Sequence, residues 1–200
     1  MGEVHGSTLS EVSPLGGYEV SESRLAFEGQ VIRVRVDDVR FSDGSTGTRE
    51  VVEHRGAVGA LPVLPDGRVV LVRQYRHPVG GELIEIPAGK LDLDGEAVES
   101  CIRRELIEEV GFQAGRLLPA AVFYTTPGFS NELFHLFVAL DLSPVAGAPG
   151  KHEEADMQVM ILDMDAALDR VRSGEIRDAK TIIALTLGKE IVERERAAAG

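Results

Sequence analysis

Hydrophobic and polar positions alternate with a period of two through much of the first quarter of the chain. In "YEVSESRLAFEGQVIRVRVDDVRF" the pattern is clearest where Val31, Arg33, Arg35 and Asp37 interleave with Ile32, Val34 and Val36, and Glu28-Gly29 offers a turn. This predicts an antiparallel hairpin. "SDGSTG" predicts a second turn and "TREVVEH" a third strand. From "GAVGALPVL" the runs become short and apolar: "PDG" turns into "RVVLVRQYR", and "ELIEIPAG" follows.

The period then changes. In "GEAVESCIRRELIEEVG" the residues Ala97, Val98, Cys101, Ile102 and Leu106 recur at helical spacing, with Asp94 as a candidate N-cap and Gly111 as a left-handed C-terminal cap. "RLLPAAVFYTT" and "LFHLFVALDL" predict strands joined by the turn-rich "PGFSNE". "SPVAGAPGKHEEAD" reads as a polar loop, "MQVMIL" as a strand, and "MDAALDRVRSG" and "AKTIIALTLGKEIVERER" as helices. There is no internal repeat. One helix inserted among strands, with others at the end, predicts an α/β (α+β) fold in which helices sandwich a mixed sheet; a doubly wound parallel sheet would need a helix between most strands. Residues 1–17 are expected to be a disordered tail, 18–55 an N-terminal antiparallel region, and 56–196 the main domain.

Composition narrows the function. The 200 residues carry 21 Lys plus Arg against 33 Asp plus Glu, a formal net charge of -12, which argues against binding nucleic acid through a broad basic surface. An anionic substrate would need a cation to approach. The single cysteine, Cys101, cannot form an intramolecular disulfide, and no apolar run reaches the roughly 20 residues of a membrane span. The polar, acidic start lacks the features of a secretory or myristoylation signal, so a cytoplasmic protein is expected.

Candidate chemistry concentrates in "RRELIEEVGF". In a helix, Glu105, Glu108 and Glu109 share a face, and such a patch is self-repelling unless something positive sits there. Hard carboxylate oxygens suit Mg²⁺ or Mn²⁺. An isolated "ELIEE" would more often be a solvated acidic helix face. Its context is different: "GKLDLDGEAVESCIRRELIEEVGF", residues 89–112, resembles the Nudix box, and Glu96, Arg104, Glu105, Leu106, Glu108, Glu109, Gly111 and Phe112 match that pattern. One departure is that six residues separate Gly89 from Glu96 where the pattern has five, so the loop before the helix should bulge without moving the glutamates.

The resemblance implies a Nudix-type α/β/α sandwich, with Glu105 and Glu109 as main Mg²⁺ ligands, Glu108 acting through metal or water, and the Ala88 carbonyl as a further ligand. Glu96 and Arg104 would brace the loop against the helix, with Gly89 and Gly111 as structural glycines; a plain surface salt bridge is the alternative for Glu96 and Arg104. Pro127 in "TTPGFSNE", 16 residues after Gly111, together with "TREVVEHRGAV" and "VRQYRHPVGGELIEIPAG", resembles the ADP-ribose pyrophosphatase branch. That branch carries its general base on a late loop. "GKHEEADM" supplies Glu154, with Glu153 as the alternative, although such a loop could equally be ordinary acidic surface.

By the same resemblance Arg49 and Arg76 would bind substrate, since guanidinium forks suit phosphate oxygens and stack on adenine; Arg49 could equally be a sheet-surface arginine. Phe129, Phe123 and Tyr124 could offer an aromatic face to a base, but aromatic residues beside a strand are more often core. His54, His77, His135 and His152 are not spaced as a metal set, and Cys101 reads as core. The N-terminal strands resemble those that the branch exchanges between subunits, which implies a homodimer. The expected activity is Mg²⁺-dependent hydrolysis of ADP-ribose to AMP and ribose 5-phosphate. The alternatives are another nucleotide sugar or dinucleotide substrate (GDP-mannose, NADH, diadenosine polyphosphate) or a nucleotide-binding Nudix sensor without turnover. No nucleic-acid or membrane partner is expected.

Overall fold

The computed structural model describes residues 17–93, 95–146 and 157–199. Asp94, residues 1–16 and residues 147–156, which include His152, Glu153 and Glu154, lie outside the described residues. The chain divides into two compact units at the Glu53–His54 junction.

The N-terminal unit is a three-stranded antiparallel sheet, β1 (Glu19–Glu28), β2 (Arg33–Arg40) and β3 (Thr46–Glu53), in that spatial order. The first turn closes where Gly29 N–H donates to the Ile32 carbonyl at 2.9 Å and Glu28 pairs with Arg33. The sheet's polar centre is Asp37, which accepts from Ser23 Oγ at 2.6 Å and from Arg35 Nε at 3.0 Å; these bonds, Ser23 first, hold its carboxyl below the ordinary value. Tyr18, Val20, Leu25, Phe27 and Val31 are exposed.

The second unit runs β4 (Ala57–Pro62), β5 (Val69–Arg76), a 3-10 turn at His77–Val79, β6 (Gly81–Glu85), β7 (Ala88–Lys90), α1 (Val98–Val110), β8 (Phe112–Tyr124), β9 (Leu133–Pro144), β10 (Gln158–Leu162), α2 (Met164–Arg172) and α3 (Ala179–Ala199). One sheet has the order β7-β4-β9-β8 and is mixed, because β4 and β9 are parallel while its other pairs are antiparallel; the second, β10-β5-β6, is antiparallel. β4 is buried throughout, as a strand covered on both faces must be. Its side chains therefore divide by parity: Val58 and Ala60, with Val70 and Val72 of β5, meet Cys101, Ile102 and Leu106 of α1. Ala57 and Leu61, with Val69 and Leu71, share the other core with Ala184, Leu185 and Val192 of α3. The expected mixed sheet between helices is thus present. Gly188 of α3 lies against Leu61, and a Cβ there would collide with the Leu61 side chain.

Two boundaries differ from expectation. α1 begins at Val98 with Ala97 as its cap, later than the run from Gly95 suggested, and no side chain caps it. "ELIEIPAG" is two strands, because Pro87 has no N–H to give a ladder and the chain changes sheets there. Among the described residues no helix is long and apolar enough to cross a membrane.

Candidate active site

Helix α1 has a core face of Cys101, Ile102, Leu106 and Val110, which fixes its rotation and sends the glutamates elsewhere. The helix stops at Gly111, whose φ of 72° places it in the left-handed region and whose N–H donates to the Ile107 carbonyl at 3.1 Å. β8 starts at the next residue, so the end of the acidic helix is locked to the β8–β9 hairpin.

The three glutamates do not form one uniform patch. Glu109, partly buried, accepts the Ala88 N–H at 3.0 Å through Oε2. Glu105 lies directly over Gly89, where any Cβ would overlap its carboxylate. Glu108 points outward, its side chain 54% exposed. Arg104 supplies much of the countercharge: its Nη1 donates to Glu105 Oε1 at 2.8 Å and to Glu108 Oε2 at 3.0 Å. Its Nε and Nη2 donate to the two oxygens of Glu96, each at 3.2 Å. The Glu96–Arg104 pair is therefore formed despite the extra residue in the preceding loop, and these bonds hold the Glu96 carboxyl below its ordinary value. Arg104's own value is raised, chiefly by Glu96.

Gly89→Ala is expected to displace the Glu105 carboxylate while leaving the backbone unstrained. Misplacement of this size in a positioned group costs on the order of 10²-fold in turnover. The check is kcat together with a thermal melt; unchanged kcat would mean that the Glu105 position is unimportant.

Burial pushes the Glu109 carboxyl up to about 8, with the Ala88 N–H opposing and Glu105 reinforcing the rise. Burial likewise raises Glu105, against the pull of Arg104. The folded value of Glu109 lies above its ordinary 4.5, so this group's contribution to stability is complete below 4.5 and is lost as pH rises through about 8. Without divalent cations, the parent should therefore lose stability relative to Glu109→Gln as pH rises from about 4.5 to about 8, on the order of 5 °C in Tm. Thermal melts in a chelator measure the difference; no pH dependence in it would contradict the burial of an ionisable Glu109.

Among the described residues, no group of three His, Cys, Asp or Glu side chains stands in an arrangement that could hold a metal ion as it is, because Glu105 and Glu108 are turned onto Arg104. The donor chemistry does fit a hard divalent cation: Glu109 and Glu105 are desolvated carboxylates flanking one stretch of backbone, and the charge of Glu105 raises the cost of ionising Glu109. Glu85 is a further carboxylate beside Glu109, only 1% exposed. Sequence reasoning missed it, although a glutamate between two isoleucines, Ile84 and Ile86, is a detectable signal of a buried carboxylate.

Arg76 is engaged by Glu85 in a bidentate pair, Nε and Nη2 each 2.8 Å from a carboxylate oxygen. Arg49 belongs to the N-terminal unit, where its guanidinium lies over the Tyr18 and Phe41 rings at 5.4 and 5.3 Å and donates to the Thr48 carbonyl at 2.8 Å. Pro127 and Phe129 are exposed on the β8–β9 turn. Register puts that turn at the site's end of the sheet, since Phe134 pairs with Ala57 and Ala57 with Lys90. The His54 N–H donates to Asn131 Oδ1 at 2.8 Å and ties the turn to the start of β4. Phe123 packs on Phe134 with centroids 5.3 Å apart, whereas Tyr124 is exposed. Cys101 is fully buried, and burial pushes its thiol up to about 12.

Residues 53–182 match the NUDIX domain family, and residues 19–52 match the nucleoside diphosphate sugar hydrolase N-terminal domain. The chain is 41% identical over 159 residues to the ADP-ribose pyrophosphatase of Bacillus subtilis (strain 168), covering 80% of this chain and 85% of that protein. It is 38% identical over 151 residues to the GDP-mannose pyrophosphatase of Escherichia coli O1:K1 / APEC, covering 68% and 78%. A crystal structure of an ADP compounds hydrolase superposes with a TM-score of 0.79 at 23% identity, covering 92% of this chain and 98% of that one, which bears on the fold. With the box helix, the mixed sheet and these matches in agreement, the chain belongs to the Nudix hydrolase family.

Proposed function

We propose that the protein hydrolyses the pyrophosphate of ADP-ribose, giving AMP and ribose 5-phosphate, with Mg²⁺ as its cation and Mn²⁺ as a substitute. The observation that carries this reading is the pair Glu105 and Glu109 set against the Ala88–Gly89 backbone, in a chain 41% identical to an ADP-ribose pyrophosphatase. Glu105, Glu109, Glu108 and the Ala88 carbonyl would hold the cation. When bound, it supplies charge neutralisation and alignment of the pyrophosphate oxygens, which a chain of net charge -12 otherwise repels.

The remaining work falls to the chain's own groups. Glu154, with Glu153 as the alternative, takes a proton from the attacking water, so that hydroxide adds to one phosphorus as the bridging oxygen leaves. Arg76 and Arg49 offer guanidinium groups to phosphate or adenine, Arg76 sharing its charge between Glu85 and the substrate. Pro127 and Phe129 flank the base on their turn.

The similarity to a GDP-mannose pyrophosphatase favours a second reading, the same chemistry on another nucleotide sugar. A mass-spectrometric screen separates the two. ADP-ribose, GDP-mannose, NADH and diadenosine polyphosphates are pooled and incubated with and without Mg²⁺. ADP-ribose should disappear first and only with Mg²⁺; earlier loss of GDP-mannose supports the second reading, and no loss at all supports a nucleotide sensor.

The exposed apolar residues Tyr18, Val20, Leu25, Phe27 and Val31 support a homodimer in which N-terminal strands are exchanged. Equilibrium sedimentation at micromolar concentration should return twice the 21.6 kDa of one chain, and a monomer mass would contradict it. The buried, unpaired Cys101 supports a reducing, cytoplasmic setting.

A further inference from the structure

The backbone that receives Glu109 and lies under Glu105 is not held by the box alone. Between β6 and β7 the chain crosses from one sheet to the other, and three hydrogen bonds pin it on the way. The Pro87 carbonyl accepts the Ala60 N–H at 3.1 Å, the Ala88 N–H goes to Glu109, and the Ile86 N–H donates to Thr181 Oγ1 at 2.8 Å. The first partner is a neighbouring strand and the second is in the box. The third comes from α3, a helix with no part in the family motif.

Thr181 is fully buried, as is Ile86, so neither group has water as a substitute partner. The hydroxyl's direction is also fixed. Asp178, 8% exposed and just ahead of α3, accepts both the Thr181 N–H at 2.9 Å and Thr181 Oγ1–H at 2.7 Å through a single oxygen. The first of these satisfies a free N–H of the helix start. The second commits the hydroxyl proton to Asp178 and leaves an oxygen lone pair for Ile86. Lys180 Nζ donates to the other Asp178 oxygen at 2.5 Å and holds that carboxylate in place. The chain Lys180, Asp178, Thr181, Ile86 therefore runs without a break from the start of α3 to the backbone two residues before Ala88. A fully satisfied polar network inside an apolar core selects one arrangement of the elements it joins.

We infer that Thr181, oriented by Asp178, is a positioning residue that sets the Ile86–Gly89 backbone against Glu105 and Glu109 and thereby tunes how tightly the box carboxylates hold a divalent cation. The inference rests on the proposed cation-dependent reading of the site. Nothing in it depends on which nucleotide is cleaved.

The test is Mn²⁺ titration of the full chain without substrate, followed by electron paramagnetic resonance of free Mn²⁺, alongside thermal melts. Thr181→Val keeps the shape and removes the acceptor, and should weaken Mn²⁺ on the order of 10-fold, the usual effect of removing an outer partner of a metal site. Thr181→Ser restores the hydroxyl and should return the affinity to within about twofold of the parent. Asp178→Asn, which keeps an oxygen acceptor but loses the pair with Lys180, is the milder variant and should shift affinity in the same direction. Val192→Ala, which removes buried methyl groups about three turns beyond Thr181 in the same helix, controls for stability: it should lower Tm and leave Mn²⁺ affinity unchanged.

Two results would overturn the inference. One is Thr181→Val and Asp178→Asn both binding Mn²⁺ like the parent; the other is Val192→Ala weakening Mn²⁺ as much as Thr181→Val at an equal loss of Tm. If the parent itself binds no Mn²⁺, the cation-dependent reading of the site fails first, a distinguishable outcome that takes this inference with it.

Discussion

Glu109→Gln is expected to lower ADP-ribose turnover about 10³-fold while the protein stays folded. The reason begins with burial. Glu109 is desolvated enough for its carboxyl to be pushed up to about 8, and it accepts the Ala88 N–H at 3.0 Å. Glutamine has the same shape and can still accept that N–H, so the contact between α1 and β7 survives. What disappears is the negative charge that makes the site attractive to a divalent cation. Several kcal/mol of charge stabilisation at about 1.4 kcal/mol per factor of ten gives the expected loss. The variant should also need far more Mg²⁺ to reach its residual rate. Removing the buried ionisable group should make the metal-free variant more stable than the parent at high pH, the reverse of a folding defect. Near-parental turnover and Mg²⁺ dependence would reduce the glutamate face to structure.

Glu154→Gln should produce a loss of similar size by a different route. A positioned general base contributes about 10² to 10⁴ in rate, and an amide cannot take the proton from water. This variant should bind Mg²⁺ nearly as the parent does, because the carboxylates on α1 that we propose as ligands are untouched. Calorimetric titration of Mg²⁺ into each variant separates the two cases: Glu109→Gln loses affinity and rate together, Glu154→Gln loses rate alone. If Glu154→Gln keeps its turnover and Glu153→Gln abolishes it, the base is Glu153.

Much of the fold was legible because it rests on local patterns. Alternation in "RVRVDDVR" gave β2, the apolar run of "AVGALP" marked the doubly covered β4, and the spacing of Cys101, Ile102 and Leu106 fixed which side of α1 faces the core. Gly111 was readable as a cap because a left-handed residue at a helix end favours glycine. The start of α1 was harder. Its N-cap is Ala97, which has no side chain able to cap, so that residue gives no sequence signal of the boundary.

The site was legible in its donors and less so in its arrangement. The helical face predicted a shared patch, but Arg104 draws Glu105 and Glu108 together while Glu109 turns to Ala88. Choosing among rotamers depends on charges that spacing does not encode. Thr181 was missed for a related reason: Ile86 and Thr181 are 95 positions apart, and only the packing of α3 against the β6–β7 crossing joins them. A buried polar residue in a helix reads from sequence as a neutral interruption of the apolar stripe.

The measurement that tests the central claim most directly is hydrolysis of pure ADP-ribose across a titration of free Mg²⁺, with products resolved by chromatography. The account predicts AMP and ribose 5-phosphate in equal amounts, at a rate that saturates with Mg²⁺ and falls to background in a chelator. Mg²⁺-independent cleavage, or intact ADP-ribose at saturating Mg²⁺, would contradict it.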